Sequence, residues 1–183
     1  DSGKAQVFLF SGPSGCGKTT LARIAASYVG CNPRDVIEVD AATFNGIDKM
    51  REVQSMMSYK PVGGGDSRAV ILDECHGLSK AAWDSLLKSI EEPRSDVFWL
   101  FCTTNPGKIP KTVLTRCTQY ELSQLTEDNI LKVLKRVIKK EKLDVEAEVV
   151  EAVAESSGGS ARQALVYLEM CLFCETAAEA RKV

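Results

Sequence analysis

The residues Gly12-Pro13-Ser14-Gly15-Cys16-Gly17-Lys18-Thr19, followed by Thr20, have the spacing G-x-x-x-x-G-K-[ST]. Glycines at such positions let the backbone curl until several N–H groups converge, and a helix beginning behind them adds its positive end, which suits phosphate oxygens. Lys18 would reach β- and γ-phosphates, and the Thr19 hydroxyl would ligate Mg²⁺. Gly12 through Thr20 therefore form a candidate ATP-binding segment.

A second group lies downstream. Ala69-Val-Ile-Leu-Asp73-Glu74 is an apolar run that ends in two carboxylates. Asp73 would join Thr19 around the metal, and Glu74 would polarise an attacking water as general base. Nucleotide kinases share the phosphate loop but transfer phosphate to a bound acceptor, so they have no need of a water-activating glutamate here. His76, the only histidine in the chain, follows two residues later and reads as structural. Thr103-Thr104-Asn105 closes a further apolar run, Thr115-Arg116-Cys117 precedes another, and Gly159-Ser-Ala-Arg162 opens a helical pattern. Taken singly, each of these is a cap or a turn.

These groups need a scaffold. Short apolar runs at Val7–Ser11, Val36–Asp40, Ala69–Asp73, Val97–Cys102 and Thr118–Leu122 are rich in Val, Ile and Phe. Their length and composition suit strands buried on both faces of a parallel sheet. Helical patterns lie between them at Thr19–Val29, Ile47–Met57 and Ser79–Ile90, the last stopped by Pro93. This alternation predicts a mostly parallel five-stranded α/β core over residues 1–121. Lys60 to Asp66 reads as a flexible loop within it. From residue 122 to 183 the pattern becomes wholly helical. Thr126 is a candidate N-cap for a helix with Ile130, Leu134, Val137 and Ile138 on one face. A second helix runs from about Glu146 to Glu155 and ends at Gly158-Gly159, and a third starts near Ser160 with Ala161, Ala164, Leu165, Leu168 and Leu172 inward. A small three-helix domain is expected.

Composition narrows the classes. The 183 residues are 44% hydrophobic and 26% charged with net charge −2, which excludes disordered and collagen-like chains. No apolar run approaches the ~18 residues of a membrane span, and no signal peptide opens the chain, so an intracellular protein without membrane contact is expected. The start at Asp1, close to the first strand, reads as trimmed. The seven cysteines read as reduced thiols, and Cys171-x-x-Cys174 lacks the second pair that a zinc site requires. Near-neutral charge gives no general argument for nucleic-acid binding. Locally, however, Lys132, Lys135, Arg136, Lys139, Lys140 and Lys142 crowd one helix. They read either as a solvated face or as a contact for DNA or an acidic partner.

The full series of segments resembles the AAA+ ATPases, and within them the clamp-loader ATPase subunits. LFSGPSGCGKTTLARIAA, VIEVDAAT, AVILDECHGLSKAAWDSLLKSIEEP, FCTTNPGKIPKTVLTRC and GGSARQAL occur in that family's order and spacing. The similarity is closest to the bacterial DNA polymerase III gamma/tau subunits and next to replication factor C small subunits. The resemblance implies a P-loop core followed by a lid. It places Thr104 and Asn105 at sensor 1, Arg116 at the arginine finger that completes the site of a neighbouring subunit, and Arg162 at sensor 2. Thr115 replaces the serine usual before that finger. The family's four-cysteine zinc module would fall where only Cys31 stands, so no zinc is expected. A segment before the first strand and a collar after the lid are also features of the family, and the chain reads as a core-and-lid fragment.

The implied function is MgATP hydrolysis by an assembled clamp loader in DNA replication. Its partners would be other loader subunits, a sliding clamp and primer-template DNA, in the cytoplasm at replication sites. Short helices near Lys49 and Arg51 are the expected DNA contacts. Two alternatives remain at this stage: a nucleotide-binding structural subunit without turnover, and a related AAA+ branch-migration motor.

Overall fold

The computed structural model describes residues 5–172, 174 and 176–181; the first four and last two positions of the expected two-part division lie outside the described residues. The chain divides into two compact units. One holds the residues through Gly12 and Lys18–Leu122, and the other holds Pro13–Gly17 with Ser123 onward.

In the first unit, β1 (Val7–Ser11), α1 (Lys18–Tyr28), β2 (Cys31–Asp40), α2 (Ile47–Met57), β3 (Ser67–Asp73), α3 (Lys80–Glu91), β4 (Val97–Thr103), α4 (Lys111–Leu114) and β5 (Thr118–Glu121) follow in order. The sheet has the order β2-β3-β4-β1-β5, and every pairing is parallel. Central strands β3 and β4 are buried along their length except at Asp73, as near-continuous apolar runs require. Alternate residues point to opposite faces. Leu9, Leu72, Trp99 and Phe101 pack with α2 and α3 through Met50, Val53, Trp83 and Leu86. Phe10, Ile71, Phe98 and Leu100 pack instead against the small Ala22 and Ala26 of α1. Trp83 meets Phe101 edge to face at 5.5 Å, a contact of about 0.5–1.5 kcal/mol beyond its buried area.

Several expectations change. The apolar pattern predicts a last strand buried on both faces, but β5 is exposed throughout, because it is a four-residue edge strand paired only with β1. Strand β2 reaches back to Cys31 and shifts register before Val36, where Pro33 has no N–H to donate. The expected loop at Lys60–Asp66 is held in place and is not free. Val62 and Gly63 donate their backbone N–H groups to the fully buried Asp35 carboxylate at 2.8 and 2.7 Å. A Cβ on Gly63 would stand 2.7 Å from that carboxylate, so the approach demands glycine. Arg68 lies 3.8 Å from Asp35 and donates to the Met56 carbonyl at 2.6 Å, fixing the end of α2 to the same junction.

The second unit contains α5 (Glu127–Glu141), α6 (Ala147–Ser156), α7 (Ala161–Met170) and a single turn, α8 (Ala177–Ala180). Among the described residues, four helical segments stand where three are expected. Thr126 caps α5 by accepting from Asn129 N, and the order of Glu127 and Asp128 in the first turn and Lys139 and Lys140 in the last suits the helix dipole. Ile130, Leu134, Val149, Val153, Ala164 and Leu168 make the core, with Val137 and Ile138 half-buried against it. Leu165, expected inside, is exposed. Cys171 is buried just beyond α7, and Cys174 is half-buried in the same cluster, so the pair is packing material.

Candidate nucleotide site

The carboxyl ends of parallel strands, where strand order reverses, are where open α/β sheets bind ligands. Here β1, β3 and β4 deliver Gly12, Asp73 and Thr103 to that edge, with Ser11 opposite Thr103 in register. Gly12 N donates to Thr103 O at 3.2 Å, tying the start of the glycine-rich loop to β4. Gly15 and Gly17 adopt φ of 75° and 99°, the left-handed region that lets the loop curl. Lys18 is buried, and its ammonium donates to the Gly12 carbonyl at 3.0 Å.

Thr19 and Asp73 are 54 positions apart in sequence and come together: Thr19 Oγ1 donates to Asp73 Oδ2 at 2.7 Å. A hydroxyl and a carboxylate are hard oxygen donors, the chemistry Mg²⁺ takes when phosphates complete its octahedron. The donor set therefore fits that ion.

Glu74 follows Asp73 with φ 46° and ψ 41°, a left-handed conformation unusual for a non-glycine residue. The kink turns its carboxylate toward β4. Thr104 donates to Glu74 Oε2 from its hydroxyl at 3.0 Å and from its backbone N–H at 3.4 Å. His76 Nδ1 lies 3.3 Å from the same oxygen and 3.0 Å from Thr103 Oγ1. Thr103 Oγ1 also accepts from Asn105 N at 3.0 Å. The structure thus joins Glu74 directly to Thr104 and, through His76, to Thr103, and the His76 link is one that sequence reasoning missed. The signal was its place two residues after Glu74, but its partner comes from another strand. Two thiols lie behind this edge. Burial, with Asp73 adding to it, pushes Cys102 up to about 12, and burial holds Cys75 well above its ordinary value. Both stay neutral at physiological pH.

The remaining candidate residues differ in their placement. Arg116 precedes β5, whose Thr118 pairs with Phe8 at the opposite end of the sheet from Ser11 and Thr103. Its guanidinium donates to Glu91 Oε1 at 2.7 Å and to the Thr112 carbonyl at 2.5 Å. Arg162, exposed in the first turn of α7, stands beside the glycine-rich loop within the second unit: a Cβ placed on Gly15 would lie 3.3 Å from the Arg162 Cβ. Lys49 on α2 pairs with Glu52 at 2.8 Å, and Arg51 lies 3.6 Å from Asp48. Among the described residues no group of three or more His, Cys, Asp or Glu side chains is arranged to hold a metal, and no helix is long and apolar enough to cross a membrane.

Residues 34–126 match the family described as DNA polymerase III, delta subunit, and residues 132–173 match the RCF1/5-like AAA+ ATPase lid domain. The chain belongs to the AAA+ clamp-loader family of DNA polymerase III. It is 32% identical to DNA polymerase III subunit tau of Bacillus subtilis over 189 residues, covering 92% of this chain and 33% of that protein. It is 33% identical to DNA polymerase III subunit gamma of Buchnera aphidicola, covering 88% of this chain and 50% of that one. The chain therefore spans between a third and a half of these relatives' length. In fold it resembles the Thermotoga maritima RuvB Holliday junction branch migration motor, with a TM-score of 0.78 at 22% identity over 97% of this chain and 61% of that one. The AAA+ core with a parallel five-stranded sheet, followed by a helical lid, is the architecture of this clamp-loader family member.

Proposed function

We propose that this chain is the ATPase core and lid of a sliding-clamp loader, coupling MgATP binding and hydrolysis to clamp loading on primed DNA. The observation that carries the reading is the convergence of Thr19, Asp73, Glu74 and Thr104 at one edge of the sheet. Phosphoryl transfer needs little covalent help from a protein and depends on positioning and charge. Backbone N–H groups within Ser14–Thr20 and the Lys18 ammonium bind the β- and γ-phosphates. Thr19 and Asp73 would hold Mg²⁺, which when bound neutralises charge on the phosphate oxygens. Glu74 accepts the proton of the attacking water at its carboxylate, and Thr104 with His76 fixes where that carboxylate points. Asn105, beside Thr104, completes the sensor 1 position, and Arg162 serves as sensor 2.

Arg116 acts on the nucleotide of a neighbouring subunit. Its place at the opposite end of the sheet from Ser11 and Thr103 supports a role in trans. An arginine finger contributes roughly 10³–10⁵ in rate, so hydrolysis becomes conditional on assembly. The partners are other loader subunits, a sliding clamp and primer-template DNA, in the cytoplasm at replication sites. DNA contact at Lys49 and Arg51 would be to phosphates, which carry no sequence information, and would compete with the pairs these side chains make to Glu52 and Asp48.

The test is the MgATPase rate of the full-length protein with its loader partners, with and without clamp and primer-template DNA. Stimulation by clamp and DNA together is expected. Binding of nucleotide without turnover in the complete assembly would favour a structural subunit. Branch migration of a four-way junction without any clamp would favour the motor reading that a shared fold permits.

A further inference from the structure

The lysine-rich helix α5 takes no part in the site above, and a groove lies beside it. The groove encloses about 440 Å³ between the C-terminal half of α5 and the start of α6, within the range of roughly 300–1,000 Å³ that holds compact ligands. Half-buried Leu131, Ile138, Leu143 and Val145 supply its apolar surface. Lys135, Lys139 and Lys142, all exposed, rim it. Among the described residues none of these three lysines has an ion-pair partner, and Glu151 is the single acidic side chain lining the groove.

The positive rim is a local concentration. Residues 122–183 carry 9 basic and 11 acidic side chains, so it is no by-product of a basic domain. The backbone points the same way. Lys142 is held at φ 55°, one of two non-glycine residues with positive φ among the described residues, and both its N–H and that of Leu143 bond to the Ile138 carbonyl. Helix ends of this form ordinarily carry glycine. Lysine here instead sets an ammonium on the rim while the reversal brings Leu143 and Val145 into the groove.

We propose that this groove docks an acidic amphipathic segment of a partner protein, with large apolar side chains in the groove and carboxylates against Lys135, Lys139 and Lys142. A nucleic-acid backbone would neutralise the lysines but leave the apolar surface in water. A peptide with apolar anchors at i, i+3, i+4 and i+7 and carboxylates between them satisfies both features. The reading is independent of nucleotide turnover.

The test titrates the ¹⁵N-labelled chain with a synthetic twelve-residue peptide carrying Leu and Phe at those four positions and Glu or Asp at the rest. Expected are amide shifts confined to residues 131–151, affinity that falls with added salt, and a loss of about tenfold for the Lys139→Glu/Lys142→Glu double variant. The exposed lysines leave the fold intact, checked by the rest of the spectrum. Lys142→Gly supplies the second arm: it raises Tm by relieving the left-handed backbone yet weakens the peptide, whereas a merely structural lysine would raise Tm and leave binding unchanged. The proposal is overturned if the peptide moves no amide at millimolar concentration, or if a Lys-for-Glu version binds equally well. It is also overturned if primer-template DNA or a second copy of the chain occupies the same residues in place of the peptide.

Discussion

Replacing Glu74 by Gln separates proton transfer from every other property of the site. Gln retains the size of the side chain and an oxygen that can accept from Thr104 Oγ1 at the 3.0 Å now seen. The left-handed backbone at position 74 is equally open to both residues, so stability should change by less than about 0.5 kcal/mol. Lys18, Thr19 and Asp73 are untouched, and MgATP affinity should hold within about twofold. Turnover by the assembled full-length protein should fall about 10²–10⁴-fold, or about 2.7–5.4 kcal/mol at 1.36 kcal/mol per tenfold. Thr104→Val then tests the positioning contact. A hydrogen bond to a charged group is worth about 1.5–3 kcal/mol, so this change should cost roughly 10- to 150-fold in an enzyme that has Glu74. In the Glu74→Gln background its cost should largely vanish, because nothing remains to position. Phosphate release under single-turnover conditions, with fluorescent-nucleotide binding as control, reads all four proteins. Turnover by Glu74→Gln within threefold of the parent would refute the general-base assignment. Faster turnover by Thr104→Val would show that the threonine restrains the carboxylate and does not aim it.

Other consequences concern stability and pH. Asp35→Ala removes the acceptor for Val62 and Gly63 and leaves Arg68, 8% exposed, with an uncompensated charge. A loss of about 3–5 kcal/mol in urea unfolding is expected, and a loss below 1 kcal/mol would contradict the junction's role. Lys142→Gly should add about 1 kcal/mol to the stability of the helical unit by removing a Cβ from the left-handed region, measured by thermal unfolding. Alkaline pH should destabilise the fold. Burial raises Cys31 to about 11 and Cys102 and Cys117 to about 12 from 9.0, so between 9 and 11 the unfolded chain releases protons that the folded chain keeps, and stability falls as pH rises. Tm measured across that interval should decline, and a flat profile would show that these thiols are not shielded from water.

Most of the scaffold was legible because its signals are local. Buried parallel strands are continuous apolar runs, and helices α1, α2 and α3 begin and end within a residue of their expected positions because Ser79, Pro93 and the spacing of apolar residues mark them. The edge strand is the exception: Thr118–Glu121 carries one aromatic and three polar residues, a local sign of exposure that its grouping with the apolar runs overrode, and strand order gives it a single neighbour. The candidate site was legible where a motif is contiguous, at Gly12–Thr20 and Asp73-Glu74. What joins these motifs was not. His76 reaches Thr103 across 27 positions, and Asp35 holds a loop 27 and 28 positions away. Such links depend on strand register, which no single segment encodes.

Completion of each site by the neighbour's Arg116 is tested directly by complementation. Two full-length variants are prepared: Lys18→Ala, which cannot bind the phosphates but still offers its finger, and Arg116→Ala, which binds ATP but offers none. Each alone should turn over MgATP about 10³-fold or more slowly than the parent. Mixed in one assembly, a Lys18→Ala copy beside an Arg116→Ala copy should restore hydrolysis to a substantial fraction of one parental site. Unimpaired turnover by Arg116→Ala alone, or a mixed assembly as inactive as its components, would show that Arg116 does not act in trans.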